Sequence, residues 1–258
     1  MAVDINILQN HQIKDNEILY GLLQETAFSD REVIVLVETQ AYNNLREAGE
    51  DVNGLVVVAT AEKMLGNRLK AVAIAHNIWD VGGEFEVFAA VAYINLLIDL
   101  NLLEMASMLL KPRFEAIEHN VAEFFGVMLK FSIITGNINL IDRLLKYTTR
   151  HNPVNILIDF TNVYKRENYT DDYKKIQRII INNSKDYVCA YDYALYNDRG
   201  FTDVEIFIYV SKELSDVDML YRKIAVEVDN YFLAARKKRI YNLAFTVRKI
   251  ENHPAAAS

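Results

Sequence analysis

One segment type returns along this 258-residue chain at an interval of about 35 residues, and that return restricts the fold more than any bulk property. It reads GNRLKAVAIA from Gly66, NLLEMASMLL from Asn101, GNINLIDRLL from Gly136 and DDYKKIQRII from Asp171. Looser copies open at Asp30 (DREVIVLVET) and Asp203 (DVEIFIYVSK). In the four central copies the same places are apolar: Ala71, Ile74 and Ala75; Ala106, Leu109 and Leu110; Ile141, Leu144 and Leu145; Ile176, Ile179 and Ile180. That is the i, i+3, i+4 spacing of one helical face. Each copy predicts a short helix with one buried stripe, opened by a Gly, Asn or Asp suited to a turn or an N-cap.

Between the copies lie longer apolar stretches: Asn16–Phe28, Val52–Leu65, Phe85–Leu100, Asn120–Thr135, Pro153–Glu167 and Tyr187–Asn197. Each reads as a helix packed on more than one side. Asn152-Pro153 is a good helix start, and Lys111-Pro112 is expected to end its helix. The unit is therefore helix, tight turn, helix and a longer connection. One such pair cannot bury both of its apolar faces, whereas stacked pairs share a continuous core. The expected class is all-α, a stack of about six helical hairpins over residues 16–215. A short N-terminal segment (1–15) precedes it. Two C-terminal capping helices follow within 216–250, from Val217–Lys238 and Ile240–Ile250, and the pattern ends with a disordered tail (251–258).

Composition supports this reading by exclusion. Only nine glycines and three prolines are present, too few for the many tight turns of a β-sandwich or barrel. The hydrophobic fraction of 52% and charged fraction of 24% are those of a globular chain. A net charge of -7 argues against a nucleic-acid surface, although the run Arg236-Lys237-Lys238-Arg239 ends the last long helix. That run also suits a helix C-terminus. The most apolar stretch, Val87 to Leu110, is interrupted by Asn95, Asp99, Asn101 and Glu104, so a buried helix pair is expected rather than a membrane span. No signal peptide is read at the N-terminus. The single cysteine, Cys189, sits among tyrosines and is expected to be a buried small hydrophobe in a reducing compartment.

The clearest copy, Phe131 to Leu145, resembles the second half of an ankyrin repeat. There a helix ends at a glycine turn and the next helix carries a V-x-x-LL pattern, matched here by Ile141-Asp142-Arg143-Leu144-Leu145. Leu65-Gly66-Asn67 repeats the turn and Met105 to Leu110 the paired leucines. The family's T-P-L-H opening and its G-A-D hairpin are absent, so another α-solenoid of helical hairpins is the alternative. The resemblance implies binding of another protein through loop tips and the concave groove, without a cofactor. The abundance of residues with AT-rich codons adds an analogy to effectors that intracellular pathogens deliver into host cells, so the expected location is cytoplasmic or inside a host cell.

No G-x-S-x-G, P-loop, G-x-G-x-x-G, H-E-x-x-H or C-x-x-C is present. Glu118-His119 and His151 are too few to build a metal site without a further ligand. Asp171-Asp172 is expected to be an N-cap with an acidic first turn. The residues expected to contact a partner are Trp79, Asp80, Arg113, Phe114, Arg150 and His151. They are the aromatic, Arg and polar residues of three successive connections, and such residues dominate binding hot spots. The expected function is therefore a non-enzymatic protein-binding module. The competing readings are an enzyme with a dispersed site in a helical cleft, and an oligomerisation or structural protein acting through the terminal helix.

Overall fold

The structure is a computed structural model. It describes residue 8 and residues 11–49, 51–82, 85–147, 152–198, 201–237 and 243–250. Helix dominates, with one small sheet. In chain order the helices are α1 (Asn16–Glu25), α2 (Arg31–Ala48), α3 (Val52–Met64), α4 (Arg68–Val81), α5 (Val87–Asp99), α6 (Leu103–Glu115), α7 (Ile117–Ile134), α8 (Ile138–Leu145), α9 (Asn152–Arg166) and α10 (Thr170–Ser184). Strands β1 (Val188–Asp198) and β2 (Phe201–Val210), helix α11 (Val217–Ala235) and strand β3 (Leu243–Lys249) follow.

Five predicted helix pairs are present, α1 through α10. Four of their turns share one construction. Gly66, Asn101, Gly136 and Asn168 take left-handed φ values of 77°, 62°, 69° and 58°. The residue after each donates its N–H five positions back, Asn67 to Glu62, Leu102 to Leu97, Asn137 to Ser132 and Tyr169 to Tyr164, at 2.8–2.9 Å. That closes the orphan carbonyls at the first helix's end. The fourth copy therefore turns at Asn168, three residues before the Asp171 of the sequence reading. At Gly136 the turn also lies against a neighbour, for a Cβ there would stand 2.6 Å from the Lys174 Cα. Only glycine meets both demands.

The first helices of the early pairs pack in succession, α1 on α3, α3 on α5 and α5 on α7. Their apolar sides supply much of the core, including Leu19, Leu23, Val57, Ala61, Tyr93, Leu97, Met128 and Ile133. Aspartates cap several helix starts. Asp15 accepts from Glu17 and Ile18 N–H, Asp51 from Asn53 and Gly54 N–H, and Asp216 from Met219 N–H.

The expected sixth hairpin is replaced by strands. Tyr187–Asn197 and the copy at Asp203 form the antiparallel pair β1–β2. Val204, Ile206, Ile208 and Val210 are all fully buried at every second position, which is the strand period. The same residues also satisfy a loose i, i+4 count, so the local pattern alone does not separate strand from helix. The expected second capping helix, Ile240–Ile250, is strand β3 over its described residues, paired parallel to β2 with Ile206 opposite Phe245. A parallel pair needs a crossover, and α11 supplies it. That helix packs on α10 and on β3.

Two further expectations are corrected. Pro112 lies inside α6 rather than ending it. Continuing the helix places Phe114 in the core against Phe131, with ring centroids 6.5 Å apart. The gain from burying a phenylalanine, about 1.5–3 kcal/mol, is of the order of the proline cost, about 3 kcal/mol. Asp171 and Asp172 form the expected acidic first turn of α10, but the cap position is Tyr169. Asp172 is buried and accepts hydrogen bonds from the Tyr231 hydroxyl and from Lys237 Nζ at 2.8 Å, which ties α11 to α10.

The sheet lies against the first-helix face. Strand β1 contacts α3, α5, α7 and α9. Arg68, next to the first turn, donates from Nε to the Val188 carbonyl at 2.9 Å, and from Nη2 to the Lys185 carbonyl at 2.6 Å. Ser211 donates to the Gly66 carbonyl at 3.0 Å. No helix among the described residues is long and apolar enough to cross a membrane.

Candidate functional site

The structure divides the residues expected to meet a partner. Trp79 and Asp80 occupy the last turn of α4 rather than a connection, and Trp79 is 36% exposed. Arg113 and Phe114 belong to the last turn of α6. Phe114 is only 8% exposed. The Arg113 guanidinium donates to the Leu109 carbonyl at 2.5 Å and lies 4.4 Å over the Phe124 ring, and burial lowers its pKa. Arg150 and His151 lie outside the described residues. Among those described, no hydrogen bond, ring contact or shared cavity joins the Trp79–Asp80 pair to Arg113–Phe114.

Phe114 nevertheless belongs to a concave site. It forms the floor of a pocket of about 430 Å³ with Leu110 and Phe131. The rim comes from three second helices: Lys111 of α6, Arg143 of α8 and Lys174 of α10. Arg143 spends one Nη2 bond on the Phe114 carbonyl at 2.8 Å. Neither Lys111 nor Lys174 has an ion-pair partner among the described residues. Glu115 is the one acidic residue lining the pocket. Three cations against one carboxylate make a local positive field on a chain whose net charge is -7.

A second concavity lies where the sheet meets the first helices. This cleft of about 440 Å³ is bounded by α1, the α1–α2 turn, α3, α5, α7 and β1–β2. In its wall Asp99, 1% exposed, sits between two ammonium groups. Its Oδ2 accepts from Lys63 Nζ at 2.6 Å, and its Oδ1 accepts from Lys130 Nζ at 2.6 Å and from the Tyr191 N–H at 3.2 Å. Lys130 also donates to Asn95 Oδ1 at 2.8 Å. Burial pulls Asp99 toward the neutral form, but Lys130 and Lys63 together outweigh it and hold the carboxyl below its usual range. Burial likewise pulls Lys63 down, and Asp99 outweighs it and keeps the ammonium above its usual value. Asp99 and Lys63 therefore both stay ionised around neutral pH. Tyr20 on the same wall is raised, chiefly by burial.

Sequence reasoning missed this triad. Its signal was present, because Lys63, Asp99 and Lys130 are charges in largely apolar stretches of three successive first helices and lie about one repeat apart. Taken alone, Asp99 is only an interruption of an apolar stretch. Nothing in one helix told that its neighbours carried the countercharges. Cys189 is buried as expected, and burial pushes its thiol up to about 12. No group of three or more His, Cys, Asp or Glu gathers among the described residues. Comparison with protein-family models, with curated proteins and with solved structures gives no match.

Proposed function

We propose that this chain is a non-enzymatic protein-binding module, a stack of helical hairpins of ankyrin-like or related solenoid design with α11 and the sheet closing its C-terminal end. The partner docks on the second-helix side, where an acidic segment places an apolar anchor over Phe114 between Lys111, Arg143 and Lys174. The observation that carries the reading is the unspent positive charge around an aromatic floor. Aromatic floors supply desolvated anchoring area, and complementary rim charges steer encounter and set specificity.

The concave face proposed from the family resemblance is a poorer route, because β1 already lies along α3, α5, α7 and α9. The state of the buried groups favours binding over turnover. A general acid or base works best with a pKa near the operating pH. Lys63, Asp99 and Cys189 are each shifted away from neutrality.

Selection from a random peptide library tests the proposal. Wild-type protein should enrich peptides with Asp or Glu flanking an aromatic residue or leucine. K111E/K174E should lose those binders while keeping wild-type thermal stability, since both side chains are exposed. Raising salt from about 50 to 200 mM should weaken the selected peptides. Enrichment of no acidic sequence, or equal binding by the double variant, overturns the reading.

A further inference from the structure

We infer that the inner cleft between α1, α3, α5, α7 and the β1–β2 pair is a binding site for a small organic monocarboxylate, whose carboxylate meets the Lys63 and Lys130 ammonium groups. The inference does not rest on the partner-docking reading, because the two concavities share no lining residue.

The charge count comes first. Two lysines face one buried aspartate, so the buried cluster carries one positive charge in excess. A buried uncompensated charge is costly unless something pairs with it. The hydrogen-bond count agrees. Each ammonium has three N–H donors. Lys63 spends one on Asp99, and Lys130 spends one on Asp99 and one on Asn95, with no further protein acceptor among the described residues. Both lysines line a cleft of about 440 Å³, within the usual size range of small-molecule pockets.

The same count selects the ligand class. An excess of one charge suits a monoanion. A dianion such as hydrogen phosphate would leave the cluster net negative, and Asp192 on the exposed rim, which repels any anion, weighs about twice as heavily on a dianion as on a monoanion. The other walls carry the rings of Tyr20, Phe28, Tyr191 and Tyr209, with Leu23 and Met64, so the body of the ligand is apolar or aromatic. Phe28 and Tyr209 already meet at 5.1 Å across one side of the cleft.

The cluster also holds the sheet, through Asp99 Oδ1 and the Tyr191 N–H. A purely structural role would leave it indifferent to added carboxylate. The test uses the full chain with four probes at matched ionic strength: benzoate, hexanoate, the neutral isostere benzamide, and inorganic phosphate. Thermal melting and lysine-selective NMR are the readouts. Benzoate and hexanoate should raise the melting temperature saturably and shift the Lys63 and Lys130 signals, whereas benzamide and phosphate should do neither. K130Q removes the excess charge but leaves the Lys63–Asp99 pair intact, so it should fold and lose the carboxylate response at least tenfold. K130R keeps the charge and should keep the response. Three results overturn the inference: no saturable carboxylate response in the wild type, an equal response to benzamide, or an undiminished response in folded K130Q. If K130Q does not fold, the lysine signals of the wild type decide alone.

Discussion

Removing the carboxylate of Asp99 should be among the most damaging isosteric changes this chain can receive. Asp99→Asn keeps the shape and one acceptor but discards the countercharge of two ammonium groups, each 2.6 Å away. Breaking one buried pair from one side costs about 3–5 kcal/mol. Here Lys63 has 8% side-chain exposure and can recover little hydration, whereas Lys130 at 16% can recover somewhat more. The expected loss is thus about 4 kcal/mol, or a fall in melting temperature of roughly 8–16 °C for a chain of this length. Urea unfolding at constant m-value measures it. The pH dependence gives a sharper check. In the wild type the Lys63 pKa is raised, so its contribution is fully present below the unfolded lysine value and fades as pH rises through the folded one. In Asp99→Asn the largest influence opposing burial is gone, the Lys63 pKa falls, and the variant should gain stability as pH rises from 7 to 10. The gap between the two proteins should therefore shrink over that range. Adding Lys63→Met to the variant should restore part of the loss. A cost under about 1 kcal/mol with no pH dependence would show that water, rather than Asp99, solvates these lysines, and the buried-triad argument would fall.

Further consequences can be measured directly. Phe114→Ala should cost about 3–5 kcal/mol, as for a core aromatic, and Trp79→Ala less than half of that, by urea unfolding; the opposite ranking would return Phe114 to an exposed loop. Gly136→Ala should destabilise well beyond Gly82→Ala, although both have positive φ, because only at Gly136 does the added methyl meet backbone, 2.6 Å from the Lys174 Cα; equal losses would refute the close approach. Cys189, buried and with its thiol pushed up to about 12, should react with a disulfide reagent at pH 8 only as fast as the chain opens. Tyr231→Phe together with Lys237→Met removes the donors to Asp172 and should let limited proteolysis cut near α11 sooner than in the wild type.

The helix pairs from α1 to α10 were legible because local physics repeats in them. A 3.6-residue apolar period and a left-handed turn every 32–35 residues leave their mark within a window of one helix. The sheet was not legible in that way. In β2 a strict alternation of Val204, Ile206, Ile208 and Val210 competes with a loose helical count, and the deciding partners, β1 and β3, lie outside the window. Arg113 and Phe114, expected in a connection, lie in the last turn of α6. The tertiary burial of Phe114 carries α6 past Pro112, which local propensity alone would not do.

Residue order alone thus marked the five helix pairs and most of their turns, because a helical period and a left-handed turn are settled by neighbours three to five positions away. The triad of Lys63, Asp99 and Lys130 belongs to the other category. Each charge looks unfavourable in its own helix, and only the side-by-side placement of α3, α5 and α7 brings the Asp99 carboxylate between the two ammonium groups, pairing most of the charge and leaving one positive charge over. Folding also placed β1 across the first helices α3, α5, α7 and α9. Coulomb pairing and strand pairing act across space, between segments that no sequence window holds together.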